Sequence, residues 1–234
     1  MNKIINNYRY ERKFYITGLD VIKVEKIIDL TPGFFQEIHH KRFVNNVYFD
    51  SSNLQNYNDN IDGLSKRKKI RIRWYGDLFG EVKKPILEVK IKNNEIGKKL
   101  SYPLSKFTFR ANLGVQEFLK IFANSELPEE IRHMLSFLRP TLVNRYSRKY
   151  FQSFDKKFRI TLDDDILFYS SNNLYQSFSL NTIKNYNSLI LELKYCSKCN
   201  NNASFITNFF PFRLTKSSKY VQGIILFKKL KCNL

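Results

Sequence analysis

The sequence predicts an α+β protein, mainly antiparallel β, with about eight strands, enough for the sheet to close into a barrel. Two observations carry this. Strand-like segments follow one another in adjacent runs instead of alternating with helices, which excludes a doubly wound fold. Within several of them charged and apolar residues alternate with a period of two, so each strand has one charged and one apolar face. With 43% hydrophobic residues in 234, a sizeable core is within reach.

The elements read in order as follows. YRYERKFYI is a first strand ended by Gly18. Leu19 to Leu30 has helical periodicity and stops at Thr31-Pro32-Gly33. RFVNNVYFDS is a strand, followed by a polar stretch around Asn53 to Asn60 with room for a short helix. SKRKKIRIRWYG and PILEVKIKN form a hairpin with a loop around Gly76 to Pro85, and GKKLSYPLS continues as a short strand. Val115 to Asn124 and Pro128 to Leu138 are helical. Pro128 suits a first turn, and Glu129 and Glu130 suit the positive end of a helix dipole. TLVNRYSRKYFQSF, FRITLDDDILFYS and SLILELKY are three further strands. Asn201 to Phe210 is a short helix, and Ser217 or Ser218 caps a last helix running through Leu230.

Lys plus Arg total 40 against 21 Asp plus Glu, a net charge of +19 that predicts attraction to polyanions without choosing among them. No apolar run approaches the length of a membrane span, and MNKIINNYRY has no signal-peptide core, so a cytoplasmic protein is expected. Cys196 and Cys199 form a CxxC with no second pair or nearby histidine to complete a zinc site, and reduced thiols are expected.

Placement of charge narrows the partner. Lys69, Arg71 and Arg73 alternate with Ile70, Ile72 and Trp74. Glu88, Lys90 and Lys92 alternate with Leu87, Val89 and Ile91. Glu192 and Lys194 alternate with Leu191, Leu193 and Tyr195, while Arg9, Glu11 and Lys13 share one face of the first strand. One such face is ordinarily just solvated. Four together, three of them combining Glu with Lys or Arg, suit a ligand of dense negative charge held with a metal. Arginine forks and lysine ammoniums grip phosphate oxygens, and carboxylates bind Mg²⁺ or Mn²⁺. Aromatic residues mostly alternate to the opposite face from the charges, which argues against stacking on nucleic-acid bases. No GxxxxGK[ST] loop or kinase motif set is present. Asp163-Asp164-Asp165 is not assigned as a metal cluster, because on a strand the middle residue faces away from its neighbours and Asp-rich turns are common, and His39, His40 and His133 are assigned no catalytic role.

The order RYERKF, VYFDS, KIRIRWYG, LEVK, RYSRKYF with RITLDDD, LELKY and KSSKY resembles the VTC domain, the polyphosphate polymerase branch of the triphosphate tunnel metalloenzymes related to CYTH proteins. The likeness runs from about Tyr8 to Leu230. It implies a closed antiparallel barrel forming a tunnel, helices packed outside, basic residues gripping phosphates and acidic ones holding a divalent metal, Mn²⁺ or Mg²⁺. Residue by residue it implies catalytic cations at Lys13, Arg71, Arg73, Lys90, Arg148, Arg159 and Lys219. Phosphate binding falls to Arg9, Lys98, Lys194, Lys216 and Ser218, with Lys99 the alternative to Lys98 and Arg145 to Arg148. Metal ligation falls to Glu192, helped by Glu11 and Glu88. Where CYTH members carry ExExK, this chain has Arg9 in place of the first Glu, which matches the VTC branch.

The expectation is a single domain over residues 1–234 with no SPX domain and no transmembrane segment. Its function would be transfer of the γ-phosphate of ATP to a growing inorganic polyphosphate chain. The alternatives are an inorganic or nucleoside triphosphatase using the same tunnel, and a non-catalytic polyanion-binding module. Expected partners are ATP and polyphosphate, with no specific nucleic acid.

Overall fold

The computed structural model describes residues 9–93, 96–172, 177–185 and 188–232; side chains at 9, 96, 171, 172, 177–181, 197 and 231 are outside the description. Eleven strands and six α-helices lie among the described residues. The strands are β1 (Arg9–Thr17), β2 (Gln36–Asp50), β3 (Lys66–Tyr75), β4 (Gly80–Val82), β5 (Ile86–Asn93), β6 (Ile96–Pro103), β7 (Phe107–Phe109), β8 (Arg139–Gln152), β9 (Phe158–Asn172), β10 (Ser177–Lys184) and β11 (Ser188–Cys196). The helices are α1 (Val21–Asp29), α2 (Gln55–Ile61), α3 (Val115–Ala123), α4 (Glu129–Ser136), α5 (Asn200–Thr207) and α6 (Lys219–Cys232). The fold is thus α+β with a mostly antiparallel sheet. Its strand order is β1-β11-β9-β8-β2-β3-β5-β6, with β10 paired to β9; β4 and β7 form a separate two-stranded sheet.

Three strands go beyond the sequence reading. The loop expected around Gly76 to Pro85 contains β4, which pairs with β7 through Gly80↔Phe109 and Val82↔Phe107. Each is only three residues long, too short to show a period. β10 pairs with β9 through a shift in register between Phe178 and Thr182. β2 also begins earlier than expected, at Gln36.

The chain divides into two compact units, the first of Met1–Arg42, Ser147–Asp165 and Tyr186–Ser217, the second of Phe43–Tyr146, Ile166–Asn185 and Ser218–Leu234. In the first, the apolar faces of β1 (Phe14, Ile16), β9 (Phe158, Ile160, Leu162) and β11 (Leu189, Leu191, Leu193) share a core with Val24 and Ile28 of α1 and Ala203 and Ile206 of α5. Burying these side chains supplies the main driving force, on the order of 1.5–3 kcal/mol for each large one. α1 starts at Asp20, whose carboxylate accepts from Lys23 N at 2.8 Å. It ends where Thr31 Oγ1 donates to Ile28 O at 2.6 Å.

In the second unit Ile70, Ile72 and Trp74 of β3 and Leu87 and Val89 of β5 pack with Val82, Phe107 and Phe109 of the small sheet and Phe118 and Phe122 of α3. α6 begins at Ser218, whose Oγ accepts from Val221 N at 3.4 Å. It then lies so close to β8 and β9 that a Cβ at Gly223 would sit 2.5 Å from Leu142 and 2.7 Å from Phe168. Only glycine permits that approach. Asp50, the aspartate of VYFDS, accepts from Asn56 N at 2.9 Å and Tyr57 N at 3.0 Å in the first turn of α2, and from Tyr220 Oη of α6 at 2.5 Å. Burial and the Asp50 carboxylate push the Tyr220 phenol well up. This motif aspartate is therefore a structural anchor between β2, α2 and α6.

Candidate functional site

The period-two alternation places the charged side chains of each unit on the strand face opposite its core. In the first unit the register pairs Glu11 with Lys194 and Lys13 with Glu192 across β1 and β11, and Glu192 with Thr161 and Lys194 with Arg159 across β11 and β9. The buried Glu192 carboxylate lies between two ammoniums: Lys13 Nζ is 3.0 Å from Oε1 and Lys194 Nζ is 2.8 Å from Oε2. Glu11 Oε2 is 3.8 Å from the same Lys13 nitrogen, and Lys194 Nζ also donates to Thr161 Oγ1 at 3.4 Å.

Burial disfavours the Lys13 charge, but Glu192 and Glu11 outweigh it and hold the ammonium above its ordinary value. For Lys194 burial wins over Glu192, with Arg148 adding repulsion, and its pKa is lowered. Two lysines on one carboxylate are thus driven apart, one firmly charged and the other more readily neutral. Arg148 forms a two-pronged pair with Asp163, Nε at 2.5 Å and Nη2 at 2.7 Å, with both side chains buried. Arg145, the alternative candidate, belongs to the second unit and lies over the Phe43 ring at 4.1 Å. Arg159 is exposed, and Lys216 is exposed in the segment before α6. Arg9 opens β1 opposite Cys196, and its side chain lies outside the described residues.

In the second unit the register pairs Tyr48 with Arg71 and Asn46 with Arg73 across β2 and β3. It pairs Arg71 with Glu88 and Lys69 with Lys90 across β3 and β5, and Lys90 with Lys99 across β5 and β6. Here one carboxylate gathers three cations. Glu88 Oε2 lies 2.6 Å from Arg71 Nη2 and 3.7 Å from Arg73 Nη1, and Oε1 pairs with Lys99. Burial would raise the Glu88 pKa, but Arg71, Arg73 and Lys99 together hold it far below the usual carboxylate range. Burial likewise works against the Arg71 charge, and Glu88 more than offsets it, fixing the guanidinium as a cation.

Neutral groups orient these arginines. Arg71 Nη1 donates to Tyr48 Oη at 3.3 Å, Arg73 Nε to Asn46 Oδ1 at 3.0 Å and Arg73 Nη2 to Tyr146 Oη at 3.3 Å. Lys219, at the start of α6, holds its ammonium 4.5 Å above the Tyr146 ring. Its neighbour Ser218 accepts from Lys69 Nζ at 2.9 Å.

The structure corrects one residue on this face. Lys98 pairs with Ile91, on the apolar side of β5, so its side chain leaves the charged face; Lys99 is the residue that joins it. The sequence alone could not choose because the strand's phase rests on a glycine and two adjacent lysines. Tyr48, Tyr146, Asn46 and Asp163 were not assigned as site residues. Their signal was parity alone: each sits in step with a charged neighbour.

The donor set is compatible with a divalent metal of limited protein ligation. Among the described residues no group of three or more His, Cys, Asp or Glu converges, but Glu192 and Glu11 both approach Lys13 Nζ. One or two carboxylates are what Mg²⁺-like ions use when phosphate oxygens and water complete the shell. Glu88, engaged by three cations, fits less well as a ligand and better as the organiser of its arginines.

An antiparallel sheet with a face of paired cations and carboxylates defines a phosphate-handling class of protein. The chain belongs to the VTC domain family, whose sequence profile matches residues 8–228. Membership implies polyphosphate- or triphosphate-related activity and divalent-metal dependence. Two solved structures share the fold. A candidate adenylate cyclase from Bacillus halodurans is 14% identical with a TM-score of 0.54, over 92% of this chain and 96% of that one. A candidate adenylate cyclase from Vibrio parahaemolyticus is 9% identical with a TM-score of 0.51, over 93% and 98%. No curated protein matches the sequence. No described helix is long and apolar enough to cross a membrane.

Proposed function

We propose that the protein is a metal-dependent polyphosphate polymerase that transfers the γ-phosphoryl group of ATP to the end of an inorganic polyphosphate chain in the cytoplasm. The observation that carries this reading is the cluster of Arg71, Arg73 and Lys99 around the single carboxylate of Glu88. It leaves a surplus of fixed positive charge, which suits a polyanion. Family membership and Arg9, in place of the first glutamate of ExExK, support the polymerase branch. Closure of the strand order into a tunnel is part of the proposal.

In this reading Arg71, Arg73, Lys90, Lys99 and Lys219 hold phosphate oxygens, with Lys69 and Ser218 beside them. Glu192, with Glu11, would hold Mn²⁺ or Mg²⁺, which when bound supplies neutralisation of charge on the transferred group. A terminal oxygen of the polyphosphate chain attacks the γ-phosphorus of ATP, the bond to the β–γ bridging oxygen breaks, and ADP leaves. The chain's own residues align the reactants and offset charge, so no nucleophilic side chain is needed. Lys13, held protonated by its two glutamates, would stabilise charge on phosphate. Arg159, Arg148, Lys194 and Lys216 are further proposed phosphate contacts. Asp163 already engages Nε and Nη2 of Arg148, so its main part would be to fix the face.

Incubation with ATP and Mn²⁺, followed by separation of products by size, tests the proposal, with Arg71→Ala as control. Polyphosphate longer than three phosphates is the expected product. Orthophosphate release without chain growth would replace this reading with hydrolysis at the same residues, and binding without turnover would leave a polyanion-binding module.

A further inference from the structure

We propose that Cys196 and Cys199 form a redox-active dithiol that a low-molecular-weight disulfide converts, reversibly, to an intramolecular disulfide joining the end of β11 to the start of α5. The inference is independent of the phosphate chemistry. The two Sγ atoms are 3.0 Å apart, so a bond of about 2 Å requires an approach of about 1 Å. A 3₁₀ turn, Ser197–Cys199, holds the pair together, and Cys199 is the N-cap residue of α5.

Exposure differs in the direction exchange requires: Cys196 is exposed and Cys199 buried. The exposed thiol meets the oxidant, and the buried one waits beside it. The hydrogen bond from the Cys199 side chain, with backbone N–H groups of the turn, holds the Cys196 thiol below its ordinary value. The same contact raises Cys199. A thiolate at Cys196 is the attacking form. No third His, Cys, Asp or Glu joins the pair among the described residues, which argues for redox chemistry over a metal site.

The step balances as thiol–disulfide exchange. The Cys196 thiolate attacks one sulfur of the small disulfide, whose S–S bond breaks to release one small thiolate and leave a mixed disulfide. Cys199 loses its proton and attacks the Cys196 sulfur, the protein disulfide forms, and the second small thiolate departs. Each released thiolate takes up one proton. The protein loses two hydrogens and two electrons, and the small disulfide gains them.

In the reduced protein this joint is held by weaker contacts: Tyr195 Oη donates to Asn200 Oδ1 at 3.0 Å, and Arg12 Nη1 donates to Thr207 Oγ1 at 2.7 Å. The disulfide would add a covalent tie at the end of the strand that carries Glu192 and Lys194.

The test is equilibration of the native protein in glutathione buffers from reducing to oxidising, quenching by acid, alkylation and peptide mass mapping. Alkylatable thiols should fall from three to one, with Cys196 and Cys199 lost together and Cys232 retained. Return to the reducing buffer should restore all three. Cys199→Ser should trap glutathione on Cys196 at least tenfold more than Cys196→Ser traps it on Cys199. The proposal is overturned if both thiols remain alkylatable in the oxidising buffer, if the bond maps to Cys232, or if the two serine variants trap glutathione equally. Circular dichroism of each variant confirms that folded protein is compared.

Discussion

The two charged faces use a buried glutamate differently. In the first unit Glu192 stands between Lys13 and Lys194, Glu11 is close by, and Arg148 is cancelled by Asp163. Positive and negative charges there nearly balance. In the second unit Glu88 stands among Arg71, Arg73 and Lys99, and the surplus is cationic. A balanced face retains carboxylate character and can accept a metal, whereas a surplus of guanidinium forks favours phosphate. Under the proposed function the first face would supply carboxylates to the metal and the second would supply cations to phosphate.

The largest expected effect tests that division directly. Glu192→Gln should lower turnover roughly 1,000-fold, the scale of losing a key electrostatic group, while polyphosphate affinity measured by competition stays equal or tightens. A parallel loss of affinity would show that Glu192 acts by ordering phosphate ligands and would erase the distinction. Next comes Asp163→Asn, which leaves Arg148 buried without its counter-ion. Denaturant unfolding should report a loss of about 3 kcal/mol or more, larger than any activity change per folded molecule.

Glu88→Gln should cost about 2 kcal/mol near neutral pH by the same reasoning, discounted because Lys99 is half exposed. Its pH dependence has a definite sign. The folded-state pKa of Glu88 lies below its ordinary value of 4.5, so the stabilisation is complete above that value and fades as pH falls below it. The stability gap between wild type and variant should accordingly shrink on acidification; a gap that widens would refute the ion cluster. The smallest effect separates two neighbours. Lys99→Ala should weaken substrate binding a few-fold, below ~1 kcal/mol, and Lys98→Ala should change it less, read as KM at constant ionic strength.

Much of this was legible because strands with a ligand-facing side advertise themselves. KIRIRW and LELKY alternate cleanly, and their apolar halves are the buried residues of the two cores. The parity of Arg71, Arg73, Glu88 and Glu192 followed at once. Other parts carried no such signal. β4 and β7 are three residues each and are stabilised by one another across some 25 positions of sequence. Asp163 carries no sequence signal for its role because its partner, Arg148, lies fifteen residues away on another strand. VYFDS stood out as a motif, yet its aspartate anchors a helix and a tyrosine and offers nothing to phosphate.

The sequence by itself determined the α+β, mainly antiparallel class, the sign and density of charge, and which side chains share a strand face, since these depend on a two-residue period and on composition. Tertiary structure alone decided which carboxylate meets which cation, that Lys99 and not Lys98 joins the charged face, and that Arg148 is spent on Asp163. Register between strands sets those pairings, and register is a property of packed chains that no single strand encodes.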